Sequence, residues 1–204
     1  PIFVEGAGRG ESLVVEILGI EPAIGQGATR IPPLGFYPGL TTLPLSKLLG
    51  VEIPHGTRIC PIRDGKVYFS EKLALPYEPM VGTIGTAPEI EAVTSFLPGP
   101  HGGNMDFPDI CPGAKVYLPS KVPGALLYIG DAHAAQGDAE ISGTAIEMPA
   151  EITIKIDLVK SKLLRWPRIE LPDYIITTSM TGAGWTLEDA TRSAFFEMIL
   201  WLEE

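Results

Sequence analysis

The sequence predicts a mainly β protein that ends in one α-helix. The chain has 204 residues with 23 glycines and 20 prolines, well above the ~12% that these two residues usually contribute together. They are spread along the whole chain, a pattern typical of many short strands joined by turns. Residues 151–158 alternate polar and apolar side chains with period two, as a half-exposed strand does. We therefore expect multi-stranded, sandwich-like or barrel-like sheets with one C-terminal helix.

The strands are predicted from short runs rich in valine, isoleucine and leucine. An Asp64-Gly65 pair between two such runs favours a tight hairpin turn. The predicted strands, in chain order, are 12–20, 57–62, 66–69, 115–118, 125–129, 139–147, 151–158 and 173–179. Residues 25–50 lack periodicity, which predicts a long loop or a cover over a functional site. We expect a single unit over residues 1–204, with a sub-domain insertion at about 25–75.

The C-terminal helix is predicted to begin near Thr186, because Thr186 and Asp189 have the spacing of a capping box. Its apolar residues recur at helical spacing and are expected in the core. They are Leu187, Ala190, Ala194, Phe195, Met198, Ile199 and Leu202. Because apolar side chains continue to the last residues, we expect a homo-oligomer or a further segment to cover this helix.

Composition excludes several classes of partner. The net charge of −10 argues against nucleic acid and anionic membranes, and no apolar run approaches the ~18 residues of a membrane span. The chain opens on Pro1 without a signal-peptide pattern, so no export is expected. Cys60 and Cys111 lie far apart without metal-site spacing, which favours a reducing compartment and a cytoplasmic location.

The most informative segment is GDAHAAQGDAE, residues 130–140, which lies between two apolar runs. Buried polar groups are costly unless they are paired or bind something. Asp131 and His133 are two residues apart, so on an extended chain both side chains lie on one face, about 6.5–7 Å apart. That distance allows one metal ion or one substrate to be shared. The alternative is a histidine that only hydrogen-bonds a neighbouring backbone group.

A second polar segment is PGPHGGNMD, residues 98–106, a glycine- and proline-rich loop. It contains His101, Asn104 and Asp106. Two of the three histidines of the chain therefore lie in the two polar segments, whereas His55 lies in a plain turn context where no role is expected. We expect the loop to fold over the strand ends at 130–140, so that Asp106 meets Asp131 and His133.

Both segments resemble the signature of the acetamidase/formamidase family, as do PMVGTIGTAP at 79–88 and ISGTAIE at 141–147. The resemblance extends over essentially the whole chain. It implies hydrolysis of a short linear amide to carboxylate and ammonia, in a mainly β architecture with a bound metal. Members of the family are longer at both ends, so this sequence is expected to be a core fragment.

Amide hydrolysis needs an activated water, a stabilised oxyanion and a proton for the leaving amine. The sequence contains no Gly-x-Ser-x-Gly elbow, and a metal-activated water can replace such a nucleophile. Nitrogen and oxygen ligands suit zinc, with calcium as the alternative. The predicted metal ligands are Asp106, Asp131 and His133; the predicted catalytic residues are Glu140 and Asp138; the predicted substrate-binding residues are His101, Asn104 and Gln136.

Glu140 is the general base or proton shuttle in this hypothesis. Its spacing of nine residues from Asp131 turns it to the opposite face of an extended chain, and only a bend, for example at Gly137, restores it. The alternative is that Asp138 and Glu140 bind backbone N–H groups in a tight turn. Two other functions stay open: hydrolysis of a related C–N bond in a lactam or ureide, and a non-enzymatic β domain that binds a small polar ligand or a cation.

Overall fold

The computed structural model describes residues 1–31, 50, 56–94, 96–140, 142–181 and 186–204. His55 and residues 32–49 of the predicted loop lie outside the described residues. The described part contains twelve strands and one α-helix. The strands are β1 (Glu11–Pro22), β2 (Gln26–Ile31), β3 (Gly56–Arg63), β4 (Lys66–Ser70), β5 (Leu73–Pro76), β6 (Met80–Gly85), β7 (Gly102–Asn104), β8 (Lys115–Ser120), β9 (Tyr128–His133), β10 (Ala150–Val159), β11 (Arg168–Glu170) and β12 (Ile175–Thr177); the helix is α1 (Leu187–Leu202).

The strands form three sheets, which confirms the predicted mainly β fold. A five-stranded sheet has the order β10-β1-β8-β11-β12, a four-stranded sheet the order β2-β3-β4-β5, and a three-stranded sheet the order β7-β6-β9. The pairings of β1 with β8 and β10, and of β6 with β7 and β9, are antiparallel. No helix among the described residues is long and apolar enough to cross a membrane.

One hydrophobic core is shared by the three sheets. It combines side chains such as Leu13 of β1, Val67 of β4, Val81 of β6 and Leu118 of β8, all fully buried. Since sheets bury their apolar faces by packing on one another, this shared core fixes the small sheet that carries the polar segments. The four-stranded sheet is built from residues 26–31 and 56–76, and a separate sub-domain at about 25–75 stays a prediction.

The local turn and cap signals are confirmed. Asp64 and Gly65 both have positive φ, as the tight turn between β3 and β4 requires. Thr186 is the N-cap of α1, and its side chain and that of Asp189 accept each other's backbone N–H groups in a capping box.

Three predictions on elements are wrong. The described residues of 139–147 do not form a strand, because Asp138–Glu140 make a short 3₁₀ helix and residues 142–147 contribute only the isolated bridges of Glu147. The predicted strand 125–129 starts only at Tyr128, since Ala125 and Leu126 have positive φ in a turn. The first residues of the predicted loop 25–50 form β2, which pairs with β3.

The apolar stripe of α1 is not in the core of this chain. Only Ala190 and Glu197 are buried, whereas Leu187, Phe195 and Leu202 are about 70% exposed (72%, 69% and 71%). The helix is held on its opposite side: Arg165 forms an ion pair with Glu197, and the Trp201 ring packs edge-on against another ring, that of Tyr117. The exposed side chains form an apolar face of Leu187, Phe195, Phe196, Ile199 and Leu202.

Candidate active site

The two polar segments meet beside the three-stranded sheet. β6 is the central strand and pairs with β7 on one side and β9 on the other. Residues 102–104 form β7 instead of an open loop, so the predicted loop 98–106 is in part a strand. Asp106 follows this strand, and its N–H donates to the carbonyl of Gly82 on β6. Asp131 and His133 come from the end of β9.

Gly82 is the point where these side chains converge. A Cβ built on Gly82 would lie 2.6 Å from Oδ1 of Asp106, 2.8 Å from Oδ2 of Asp131 and 2.9 Å from Cε1 of His133. Side chains from two separate parts of the sequence thus occupy the space that any larger residue would fill. The predicted convergence of Asp106, Asp131 and His133 is present in the structure.

His133 is the centre of the cluster. Its ring is buried, with Nε2 lying 2.9 Å from Oε2 of Glu147 and 3.5 Å from Oδ1 of Asp131. Burial alone would lower the pKa of His133, but these two carboxylates outweigh it and raise the pKa to about 10. The nearby His133 ring in turn lowers the pKa of Asp131.

Two buried ligand-type atoms in this cluster have no hydrogen bond. They are Oδ1 of Asp106 and Nε2 of His133, both shielded from solvent. Although Glu147 lies close to Nε2, it does so without hydrogen-bond geometry. Buried polar atoms without a hydrogen bond are rare in folded proteins, so these two atoms are candidates for binding an ion or a ligand.

Glu140 returns to the cluster because the chain leaves the strand direction after His133. Ligand atoms of Asp106, His133 and Glu140 lie within 4.8 Å of one another, as do those of Asp131, His133 and Glu147. Burial, followed by the charge of Asp106, raises the pKa of Glu140 to about 7. Burial likewise raises the pKa of Asp106 to about 6. Both carboxyl groups therefore titrate near neutrality in the metal-free protein.

Three site residues hold a backbone conformation that side chains rarely adopt. Asp106, Asp131 and Glu140 have φ values of +48°, +61° and +43°. A positive φ costs free energy for any residue other than glycine, although aspartate tolerates it better than most. The surrounding hydrogen bonds and packing must therefore hold these acids in place.

Three further predicted residues, Asn104, Gln136 and Asp138, differ in how they contact the cluster. Asn104 accepts a 2.7 Å hydrogen bond from Thr83, whose hydroxyl also lies 3.0 Å from Asp131. Gln136 contacts both His133 and the backbone of Asp106. Asp138 is exposed and belongs to neither ligand group.

His101 is buried with its Nε2 unpartnered, and it belongs to neither ligand group. Burial lowers its pKa. Its ring packs against the backbone of its own loop: a Cβ on Gly99 would lie 2.9 Å from Nδ1, and one on Gly103 would lie 3.1 Å from Nε2. The binding role predicted for His101 stays a prediction.

Sequence reasoning missed Glu147, Thr83 and Gly82. Glu147 lies in a segment that bridges β2 and β9, with two backbone hydrogen bonds of 2.8 Å to Ala28 and a bridge to His133. All three residues lie in the motifs PMVGTIGTAP and ISGTAIE, from which sequence reasoning drew only the family resemblance. Nothing local in those motifs marks a ligand, because the contacts are made across the sheets.

A cleft of about 550 Å³ opens beside the cluster, within the size range of small-molecule sites. Gln136, Asp138 and Glu140 line one part of it. The remaining wall is largely apolar and includes Phe69, Leu75, Pro76, Ala135, Ala145 and Ile146.

The protein is thus a multi-sheet β protein. Beside its cleft lies a site in which one buried histidine is surrounded by four carboxylates. Comparison with known proteins shows which family this chain resembles. The model of the Acetamidase/Formamidase family matches residues 89–181, which include the loop, β9 and Glu147. Over these residues the chain is similar to the acetamidase/formamidase family.

Relatives of known name show the same similarity. The chain is 43% identical to the crystal structure of an acetamidase from Yersinia enterocolitica, with a TM-score of 0.88 over 99% of this chain and 60% of that one. It is 38% identical over 77 residues to a formamidase of Methylophilus methylotrophus, 37% of this chain and 19% of that protein. An acetamidase of Mycolicibacterium smegmatis is 37% identical over 98 residues, 43% of this chain and 24% of that protein. The chain thus spans less than two thirds of these relatives.

Proposed function

We propose that this chain carries the active site of a hydrolase that converts a short linear amide, of the formamide or acetamide type, to a carboxylate and ammonia. The observation that carries the proposal is a pair of buried atoms without a hydrogen bond, Oδ1 of Asp106 and Nε2 of His133, within one cluster of acids. The names of the similar acetamidases and formamidases support the choice of a linear amide.

The cluster suits a divalent metal ion, and zinc in particular. Asp131 and His133 offer oxygen and nitrogen ligands, Asp106 contributes an unpaired oxygen, and Glu147 adds an oxygen that lies beside Nε2. Zinc accepts this mixture, whereas calcium takes oxygen ligands and would leave the imidazole unused. When bound, the ion supplies Lewis acidity that activates water and polarises the amide carbonyl.

Glu140 is the residue we propose for proton transfer. A carboxyl group beside the proposed metal can take a proton from water and return one to the departing amine. In the metal-free protein, burial raises the pKa of Glu140 to about 7. Glu140 reaches both the cluster and the cleft, since it lies in one ligand group and also lines the cavity wall. Asp138 lines the same cleft and is the second candidate for this role.

The cleft provides a place for the substrate. Its apolar wall, with Phe69 and Leu75, would lie against the acyl side of the amide. Asn104, joined to Asp131 through Thr83, is our candidate for a hydrogen bond to the amide group.

Ammonia release tests the proposal. The purified protein is incubated with formamide, acetamide and a lactam, before and after treatment with a chelator, and then with zinc restored. We expect ammonia from the linear amides, its loss on chelation and its recovery with zinc. Chelator-resistant activity would exclude the metal, and turnover of the lactam alone would favour the related C–N hydrolase. No turnover with a fully zinc-loaded protein would exclude the enzyme proposed here.

We also propose a homo-oligomer in the cytoplasm. The apolar face of α1 exposes Phe195, Ile199 and Leu202, and such a contiguous patch is typical of an interface. Cys60 and Cys111 are both free thiols, as in proteins of a reducing compartment.

A further inference from the structure

The side chain of Gln136 uses both ends of its amide within the protein. Its Nε2 donates a 2.6 Å hydrogen bond to the backbone carbonyl of Asp106. Its Oε1 lies 2.8 Å from Nδ1 of His133. The amide therefore connects the loop that carries one proposed metal ligand to the ring that provides another.

These two contacts fix the orientation of the amide. A backbone carbonyl can only accept, so the amide group that faces Asp106 must be the NH₂. The oxygen of Gln136 then faces His133, and it can only accept. Nδ1 of His133 must accordingly carry a proton, whether the ring is neutral or charged.

The position of that proton determines which nitrogen can bind a metal. With Nδ1 protonated, a neutral His133 has its lone pair on Nε2, the atom that lies 2.9 Å from Glu147 and makes no hydrogen bond. Metal-bound histidines usually donate their other ring N–H to an oxygen acceptor, which fixes the tautomer and the direction of the ring.

We propose that Gln136 is a positioning residue that holds Nδ1 of His133 protonated and thereby directs Nε2 at the metal. This inference rests on the proposed metal site and replaces the substrate-binding role that the sequence predicts for Gln136. Since the same amide holds the backbone of Asp106, it also sets the distance between the two ligands.

Two variants of similar size separate the parts of this role. Gln136→Met removes both hydrogen bonds and keeps the volume of the side chain. Gln136→Glu keeps an oxygen acceptor for Nδ1. Zinc affinity is measured by competition with a chromophoric chelator, and the proton on Nδ1 by ¹⁵N NMR of the zinc-loaded protein, where only three histidines contribute. Chemical denaturation of the metal-free variants checks the fold.

We expect Gln136→Met to lower zinc affinity about 10- to 100-fold and to lose the slowly exchanging Nδ1 proton. Gln136→Glu should keep that proton and bind zinc more tightly than Gln136→Met. An unchanged zinc affinity with a raised KM in Gln136→Met would overturn the proposal in favour of substrate binding. A zinc-loaded ring with its proton on Nε2 would also overturn it.

These readouts need no amide. A protein that binds zinc with the expected dependence on Gln136 but releases no ammonia would support the positioning role and exclude the proposed function. A protein that releases ammonia without binding any divalent metal would exclude the positioning role alone.

Discussion

Oδ1 of Asp106 lies 2.6 Å from the point where Gly82 would carry a Cβ. The two residues are also joined through the backbone, because the N–H of Asp106 donates to the carbonyl of Gly82. The acidic cluster thus packs directly on the backbone of Gly82, which has no side chain to block it.

Gly82→Ala is predicted to damage the cluster. The new methyl group would lie closer than 3 Å to Asp106, Asp131 and His133 at once (2.6, 2.8 and 2.9 Å), so these side chains must move apart. We expect zinc affinity to fall by at least about tenfold, by analogy with the loss of other groups that orient ligands. Gly130→Ala is the control, since nothing lies within 4 Å of its added Cβ. Equal zinc binding by the two variants would contradict the prediction.

Removal of a ligand is predicted to abolish metal retention and activity together. Asp131→Asn and His133→Ala each delete one proposed ligand from a cluster that the backbone hydrogen bonds of β6 and β9 still support. We expect no bound metal by elemental analysis, no ammonia release and an unchanged circular dichroism spectrum. Asp157→Asn, on the exposed face of β10, is the control. Full activity in either site variant would exclude the metal-based mechanism.

The metal-free protein is predicted to lose stability as pH rises from about 5 to 8. Burial raises the pKa of Glu140 from 4.5 to about 7, so between these values the folded state retains a proton that the unfolded chain has released. Folding is therefore favoured at the lower pH, and this contribution is lost as pH rises through the folded pKa. The raised pKa of Asp106 has the same sign.

Glu140→Gln should flatten this dependence, because an amide does not titrate. Melting temperatures of metal-free protein at pH 5 and pH 8 provide the measurement. The difference between the two pH values should be smaller in Glu140→Gln than in the unaltered protein, and unchanged in Asp157→Asn. The same difference in all three proteins would show that Glu140 is not buried as described.

Self-association is predicted to depend on the apolar face of α1. Phe195 is 69% exposed, and covering such a side chain is favourable by up to a few kcal/mol, roughly 1.5–3 for complete burial. We expect Phe195→Glu to shift the protein toward the monomer in light scattering. Thr153→Glu introduces the same residue outside the helix, on the exposed face of β10, and should leave the association state unchanged. A wild-type monomer would contradict the oligomer.

Local signals explain which parts of the fold could be predicted. The Asp64-Gly65 turn and the Thr186 cap depend on residues within three or four positions of one another, so sequence alone identifies them. The segment 139–147 is apolar enough to suggest a strand, but its path is set by contacts with β2 and His133. Propensity cannot anticipate such a tertiary constraint.

The candidate site likewise combines residues that local sequence predicts with residues that only tertiary contacts bring together. Asp131 and His133 are neighbours on one strand, and their shared face follows from the period of an extended chain. Glu147 reaches Nε2 of His133 only because Ala28 holds its backbone from another sheet. Gly82 is important because it has no side chain, which leaves space for Asp106, Asp131 and His133. Only the three-dimensional structure shows this.

The left-handed backbone of Asp106, Asp131 and Glu140 places stability and function in opposition at these positions. Glycine adopts such φ values freely, whereas other residues lose roughly 1 kcal/mol or more. A chain selected only for folding would therefore have glycine at all three sites and would unfold at a higher temperature. The acids at these positions are a trade-off in which this chain gives up some stability to keep its cluster.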